Sequence, residues 1–268
     1  MIRVTVLGAA GRMGRMFVQH ITAAEDLELA GATEIPGSPF LGQDAGLLAG
    51  VGELGVPIVA DVETALVGAN AMIDFTAPAN TLACAPKAAA VGATLIIGTT
   101  GMTDADKAEV AALAEQGARI VLAPNMSVGI NLLFSLCAKV APLLGEDYDI
   151  EVVEMHHNRK KDAPSGTAER LGEILAESTD RSYADDTVHG RVGQVGARTK
   201  REIGMHALRG GDVVGDHTVI FATDGERVEL THKASSRETF AKGALRAVRF
   251  LAAAEPGIYD MQDVLGLR

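Results

Sequence analysis

Short apolar runs with strand character recur at residues 4–7, 27–33, 71–75, 94–97 and 119–122. Between them lie stretches whose apolar residues return every three or four positions, at 13–24, 80–91 and 104–116. The first pattern predicts strands and the second amphipathic helices. Their regular alternation implies a parallel sheet with helices on both faces. Thr103-x-x-Asp106 has the spacing of a capping box, with Asp in the usual Glu position, and marks a helix start. From about residue 128 the pattern changes to a long apolar helix reaching 144, a strand at 149–155, a basic loop, and a helix over 165–178. Residues 179–204 are polar and glycine-rich without periodicity, which predicts a long loop. Strands at 217–222 and 227–234 flank the hairpin signal Asp224-Gly225, and a helix at 237–254 follows. The expected class is α/β, a doubly wound parallel sheet joined to a smaller α+β unit.

The chain has 268 residues, 47% apolar and 22% charged, an ordinary globular composition with room for one large or two modest domains. Its net charge of −11 repels polyphosphate and argues against a nucleic-acid partner. Cys84 and Cys137 have no ligand-like spacing, so buried reduced thiols and no structural metal are expected. A strand pattern starting at residue 2 predicts no signal peptide and a cytoplasmic protein. The uncharged run 120–138 has the length of a membrane span, but Pro124, Asn125, Ser127 and Asn131 interrupt it. A strand, a turn and a buried helix explain it better, with no membrane.

The first strand runs into Gly8-Ala9-Ala10-Gly11-Arg12-Met13-Gly14, a G-x-x-G-x-x-G loop set between a strand and a helix. In that context glycines let the backbone approach a pyrophosphate, and the helix presents free N–H groups and the positive end of its dipole. Glu34 stands at the end of the second strand, where a carboxylate can accept hydrogen bonds from the ribose hydroxyls of an adenosine. Two later strand ends, Gly98-Thr99-Thr100-Gly101 and Ala123-Pro124-Asn125-Met126, are expected to face the nicotinamide half of the same ligand.

The second candidate is the loop His156-His157-Asn158-Arg159-Lys160-Lys161, which leads through Ala163-Pro164 to Ser165-Gly166-Thr167. In an acidic protein such a cluster attracts an anionic substrate, and the helix opened by Ser165 offers a carboxylate cradle. His and Lys are also proton donors when suitably tuned. His20, His189, His206, His217 and His232 have no comparable setting in the sequence and read as structural or surface histidines. Arg237 reads equally well as an anion ligand or a surface residue.

These residues resemble the dihydrodipicolinate reductases. The motifs are G-R-M-G-R at 11–15, D-F-T-x-P at 74–78, G-T-T-G at 98–101, N-M-S-V-G at 125–129, H-H-N-R-K-K-D-A-P-S-G-T-A at 156–168 and T-H-K-A-S-S-R at 231–237. The resemblance implies a Rossmann-type dinucleotide-binding domain at 1–127 and 238–268, and a substrate-binding and tetramerisation domain with a mixed sheet at 128–237. It implies NAD(P)H-dependent reduction of 4-hydroxy-tetrahydrodipicolinate to tetrahydrodipicolinate, with loss of water, in the diaminopimelate route to lysine. It places His156 and Lys160 at catalytic positions. His157, Lys160, Ser165, Gly166 and Thr167 fall at positions contacting a small cyclic dicarboxylate. Gly8 to Met13, Glu34, Gly98 to Thr100 and Ala123 to Met126 fall at the cofactor. Ile35 stands where NADPH-suited relatives often carry Arg, which favours NADH, although Arg12 remains a candidate partner for a 2′-phosphate.

Two rivals are a different Rossmann amino-acid or semialdehyde dehydrogenase and a non-catalytic NADH sensor. The first leaves the basic cradle without a purpose, and the second lacks a spare segment for a regulatory module. A short-chain dehydrogenase is disfavoured because none of Tyr148, Tyr183 and Tyr259 has a Lys four residues later.

Overall fold

The computed structural model describes residues 1–268, which divide into two compact units, Met1–Val128 with Glu238–Arg268, and Gly129–Arg237. The first begins with β1 (Ile2–Leu7), α1 (Arg12–Thr22), β2 (Leu27–Thr33), α2 (Ala45–Ala49), β3 (Ile58–Val59) and α3 (Val62–Ala65). It continues through β4 (Ala71–Asp74), α4 (Pro78–Ala90), β5 (Thr94–Ile97), α5 (Asp104–Glu115) and β6 (Arg119–Leu122). The second contains α6 (Val128–Leu144), β7 (Asp149–His156), α7 (Gly166–Ser178), α8 (Tyr183–Asp186), β8 (Thr187–His189), β9 (Ile203–Arg209), β10 (Gly215–Thr223) and β11 (Glu226–Ala234). The chain then returns to the first unit with α9 (Glu238–Leu251), β12 (Gly257–Tyr259) and α10 (Met261–Leu265).

The first unit is a seven-stranded parallel sheet of order β12-β6-β5-β4-β1-β2-β3. Order reverses beside β1, so the loops after β1, β2 and β4 open together at the carboxyl ends of the strands, the crevice where such sheets take ligands. Both faces are covered, as the short all-apolar strands required: Val4, Val6 and Ile73 pack with Phe17, Ile21 and Leu251, while Leu7, Met72 and Leu95 pack with Ala85 and Val110. The Thr103–Asp106 capping box forms as its spacing predicts.

In the second unit the sheet order is β11-β10-β7-β9-β8, antiparallel from β11 to β7 and parallel from β7 to β8. One face is filled by Ile130, Leu133 and Cys137 of α6 and Leu171 and Leu175 of α7, packed with Ile150, Val152, Val219 and Phe221. The opposite face leaves Val153, Met155 and Ile220 half-buried and Leu208 exposed. Asp224-Gly225 makes the two-residue turn between β10 and β11, with Gly225 at φ +90°. Helix α6, prolonged through a 3-10 turn to Asp147, is long and apolar enough to cross a membrane by length and composition alone, and its Ile130, Leu133, Cys137 and Ala141 lie in the unit's core.

The segment 179–204 corrects the sequence reading. It is not one loop but holds α8, β8 and the start of β9. The run of β9 is interrupted by Gly204, which hides its strand character. Gly204 is required because a Cβ there would stand 1.8 Å from Glu151 Oε2, a carboxylate pinned by Arg191, Arg198 and His206.

Candidate active site

In the first unit the glycine loop is shaped by two close approaches. Gly8 takes φ +65°, open to glycine at no steric cost, and a Cβ on Gly14 would meet the Gly8 carbonyl oxygen at 2.1 Å. The start of α1 can therefore lie against the end of β1 only as glycine. Gly11 caps that helix without a side-chain hydrogen bond, and the first turn carries no acid. Its N–H groups and dipole remain available to an anion. Glu34 accepts from the Ala10 N–H at 3.1 Å and from the Ile35 N–H at 3.3 Å, which fixes its carboxylate beside the loop. A cleft of about 430 Å³ runs past Gly8, Gly11, Arg12, Met13, Glu34 and Phe75. Backbone donors at one end and a ribose-accepting carboxylate at the other fit a dinucleotide.

The later strand ends are held by a group that sequence reading missed. Asp74, fully buried at the end of β4, accepts from the Thr76 N–H at 3.0 Å, the Thr76 hydroxyl at 2.6 Å and the Thr81 hydroxyl at 2.6 Å, with Thr99 Oγ1 3.3 Å away. That carboxylate joins the loop after β4 to Gly98-Thr99-Thr100, where Thr99 is buried and Thr100 exposed. The Phe75 ring lies 2.2 Å from where a Gly98 Cβ would stand, so only glycine admits it. Ala123 and Met126 are buried, Pro124 is exposed, and Asn125 Oδ1 accepts from the Ser127 N–H at 2.9 Å.

In the second unit, β7 alternates strictly, and its inward row continues from Ile150 and Val152 to Glu154 and His156. Glu154, 1% exposed, receives four hydrogen bonds or contacts. Arg209 donates from Nη1 to Oε2 at 2.8 Å and from Nη2 to Oε1 at 2.9 Å, and the Ser165 N–H donates to Oε1 at 3.0 Å. His156 Nδ1 stands 2.7 Å from Oε2. Burial works against the charge on Glu154, but the hydrogen bonds from Arg209 and His156 win and hold its carboxyl below the ordinary range. Cross-strand from Glu154, His217 brings Nε2 to 3.1 Å from Ser165 Oγ and sets its ring edge-on to His156 at 5.2 Å. Burial and the neighbouring His156 depress the His217 pKa to about 3, so it is neutral at physiological pH.

Ser165 caps α7 by accepting from the Ala168 N–H at 3.2 Å, and Gly166 and Thr167 form the first turn beside it. A Cβ on Gly166 would meet nothing within 4 Å, so the helix start is open. Lys160 is largely buried and reaches Asp162 at 2.8 Å. The loop is pinned where the His157 N–H donates to Val213 O at 2.8 Å and the Asn158 N–H to Gly211 O at 3.2 Å. Partial burial, then the cations Arg237 and Arg159, lower the His157 pKa. Within this unit the structure brings His156, His157, Lys160, Ser165, Gly166 and Thr167 onto one strand end, one loop and one helix start.

His217 is a structural histidine, one of the two roles its sequence allowed, buried and bonded to the cap of the cradle. Its signal was present, because it begins the inward row His217, Val219, Phe221. Glu154 was legible as the i−2 neighbour of His156 on an alternating strand. Arg209 was not, since β9 was unread. Of the others, His206 pairs with Glu151 at 2.7 Å and His232 packs on Gly129.

A parallel Rossmann-type sheet with a glycine loop, coupled to a unit bearing a cationic cradle, defines a two-unit pyridine-nucleotide oxidoreductase. The family descriptions "Dihydrodipicolinate reductase, N-terminus" and "Dihydrodipicolinate reductase, C-terminus" match residues 2–126 and 129–265. The chain belongs to the dihydrodipicolinate reductase family. A 4-hydroxy-tetrahydrodipicolinate reductase of Magnetococcus marinus is 51% identical over 100% of this chain and 99% of its own, and that of Cupriavidus pinatubonensis is 52% identical over 100% of both. Among solved structures, a dipicolinate-bound dihydrodipicolinate reductase from Paenisporosarcina sp. TG-14 has the same fold, with a TM-score of 0.77, 24% identity and 98% of each chain covered. An amine dehydrogenase from Mycobacterium smegmatis shares the fold at a TM-score of 0.61 and 15% identity, covering 96% of this chain and 94% of that one.

Proposed function

We propose that the chain reduces 4-hydroxy-tetrahydrodipicolinate to tetrahydrodipicolinate, using NADH in preference to NADPH, in the cytoplasm and as a homotetramer. The cradle of His156, Lys160 and Ser165-Gly166-Thr167 is the observation that carries this reading. Two substrate carboxylates need cations and helix N–H groups, and the loop supplies both. Loss of the 4-hydroxyl as water leaves a conjugated cyclic imine, and a bound nicotinamide supplies the hydride that its fourth ring carbon accepts. The resulting enamine needs a proton on carbon, which His156 or Lys160 gives from beside the ring. His157 and the Ser165, Gly166 and Thr167 positions hold the carboxylates. On the first unit, Gly8 to Met13 hold the pyrophosphate and Glu34 the adenosine ribose, while Gly98 to Thr100 and Ala123 to Met126 face the nicotinamide. Glu34 repels a 2′-phosphate and Ile35 offers no charge against it, which supports NADH. The half-buried apolar face of the second sheet, with Val153, Met155 and Ile220, supports assembly through that sheet. No step requires a metal.

The test is oxidation of NADH and NADPH with freshly generated substrate. Lys160→Ala and His156→Ala are expected to lower kcat by about 10²-fold or more while calorimetry shows NADH affinity unchanged. Full activity in both variants, or loss of NADH binding in Lys160→Ala with the fold intact, would return the basic loop to another role.

A further inference from the structure

We propose that Glu154 is a positioning residue that fixes the tautomer of His156 and ties it to the substrate cradle, with Arg209 as the cation that lets this carboxylate stay ionised while buried. The inference rests on the reading of His156 as a proton carrier, but its primary readout does not depend on activity.

Every group around Glu154 that has a fixed polarity is a donor. Two are guanidinium N–H groups of Arg209 and one is the Ser165 amide. The only partner with a choice is His156 Nδ1, at 2.7 Å from Oε2. A carboxylate has no proton to offer there, so Nδ1 must carry the hydrogen, and the neutral ring is left with a bare Nε2. Proton exchange with a ligand is thereby confined to Nε2, which lies about where Gly215 leaves space: a Cβ on Gly215 would stand 3.0 Å from that atom. The same carboxylate takes the Ser165 N–H on its other oxygen, so one side chain sets the imidazole and the cap of α7 in a common frame. Without Arg209 the arrangement would be an uncompensated charge with 1% exposure.

Glu154→Gln separates this from a space-filling role. The amide must present its NH2 toward one of two pairs of donors. Turning it toward Ser165 and Arg209 Nη2 opposes it to two donors that cannot reverse. Turning it toward His156 and Arg209 Nη1 leaves only one such donor, because the ring can move its proton to Nε2 and accept at Nδ1. The variant therefore keeps its volume and inverts the tautomer. Long-range proton–nitrogen NMR on 15N-histidine protein at about pH 8, above the ordinary histidine pKa of about 6.5, reads this directly, with His156 assigned by its disappearance in His156→Asn. The wild type is expected as the Nδ1–H form and Glu154→Gln as the Nε2–H form, with kcat down about 10²-fold and substrate KM changed less than about threefold. Arg209→Lys retains a cation, and its ring is expected to stay Nδ1–H. A wild-type ring in the Nε2–H form would overturn the proposal even if Glu154→Gln failed to fold, and so would an unchanged tautomer in the folded variant. Full activity of His156→Asn would instead remove His156 from the reaction and leave the tautomer result standing.

Discussion

Two helix starts bind anions by the proposed function, and they are built in opposite ways. At α1 the backbone does the work: Gly8, Gly11 and Gly14 bring uncapped N–H groups forward, and the side-chain contribution is Glu34 from the next strand. At α7 the helix start is capped by Ser165, and the cradle around it is made of side chains from β7, the basic loop, β9 and β10. A pyrophosphate carries the same geometry in every dinucleotide, so a backbone cradle suffices. A particular dicarboxylate needs charges and proton donors placed individually, which backbone alone cannot do.

The same substitution at the two starts should break them unequally. Gly14→Ala puts a Cβ 2.1 Å from the Gly8 carbonyl oxygen and 2.6 Å from the Ala9 Cα, both backbone atoms that cannot swing away. NADH affinity is expected to fall by about 10²-fold or more, with a lower Tm, because the loop must separate from the helix. Gly166→Ala meets nothing within 4 Å and should leave Tm and NADH affinity unchanged while raising substrate KM by less than about tenfold. Calorimetry and thermal melts on the two variants decide it, and equal losses would erase the distinction.

The difference also explains what the sequence could disclose. The glycine loop is local, with strand, glycines and helix contiguous and Glu34 at the end of the following strand, so its chemistry reads along the chain. The five apolar strands β1, β2, β4, β5 and β6, of four to seven residues, were legible for the same reason, whereas β3 and β12, of two and three residues, are defined only by pairing with β2 and β6. In the second unit the basic loop was visible because it is dense in charge. Of its supports, Glu154 and His217 each carry a signal along their own strands while Arg209 does not, and the three meet only when β7, β9 and β10 pair. Arg209 lies on a strand whose Gly204 is set by a salt-bridge network on the opposite face of the sheet.

Those supports should carry a pH signature that the backbone-built site lacks. His217 is neutral and buried, with a folded pKa near 3 against about 6.5 unfolded. Above about 6.5 neither state binds its proton and no stability depends on it. As pH falls from 6.5 toward 3 the unfolded chain binds a proton that the folded one refuses, so stability falls, by at most about 1.4 kcal/mol per pH unit for this group. The lowered pKa values of His157 and His232 act in the same direction. His217→Gln, which can keep a hydrogen bond to Ser165, is expected to flatten the urea-unfolding free energy between pH 6.5 and 5 by about one proton. An unchanged slope would mean that His217 titrates alike in both states.

The smallest expected effect sharpens the other side of the comparison, where one side chain rather than the backbone sets selectivity. Glu34 is fixed by the Ala10 and Ile35 amides, so it cannot swing away from a 2′-phosphate, and Ile35 beside it is 70% exposed. Ile35→Arg places a guanidinium next to that carboxylate, where it can partly neutralise Glu34 and contact the phosphate of NADPH. Because the position is solvent-exposed, screening limits the gain to that of a surface ion pair, about 0.2–1 kcal/mol. The NADPH to NADH ratio of kcat/KM should then rise by no more than about fivefold, and the rise should fade as salt increases. A gain that survives high salt would place the new cation in a dry contact, and no gain at all would mean that Arg12 already holds the 2′-phosphate.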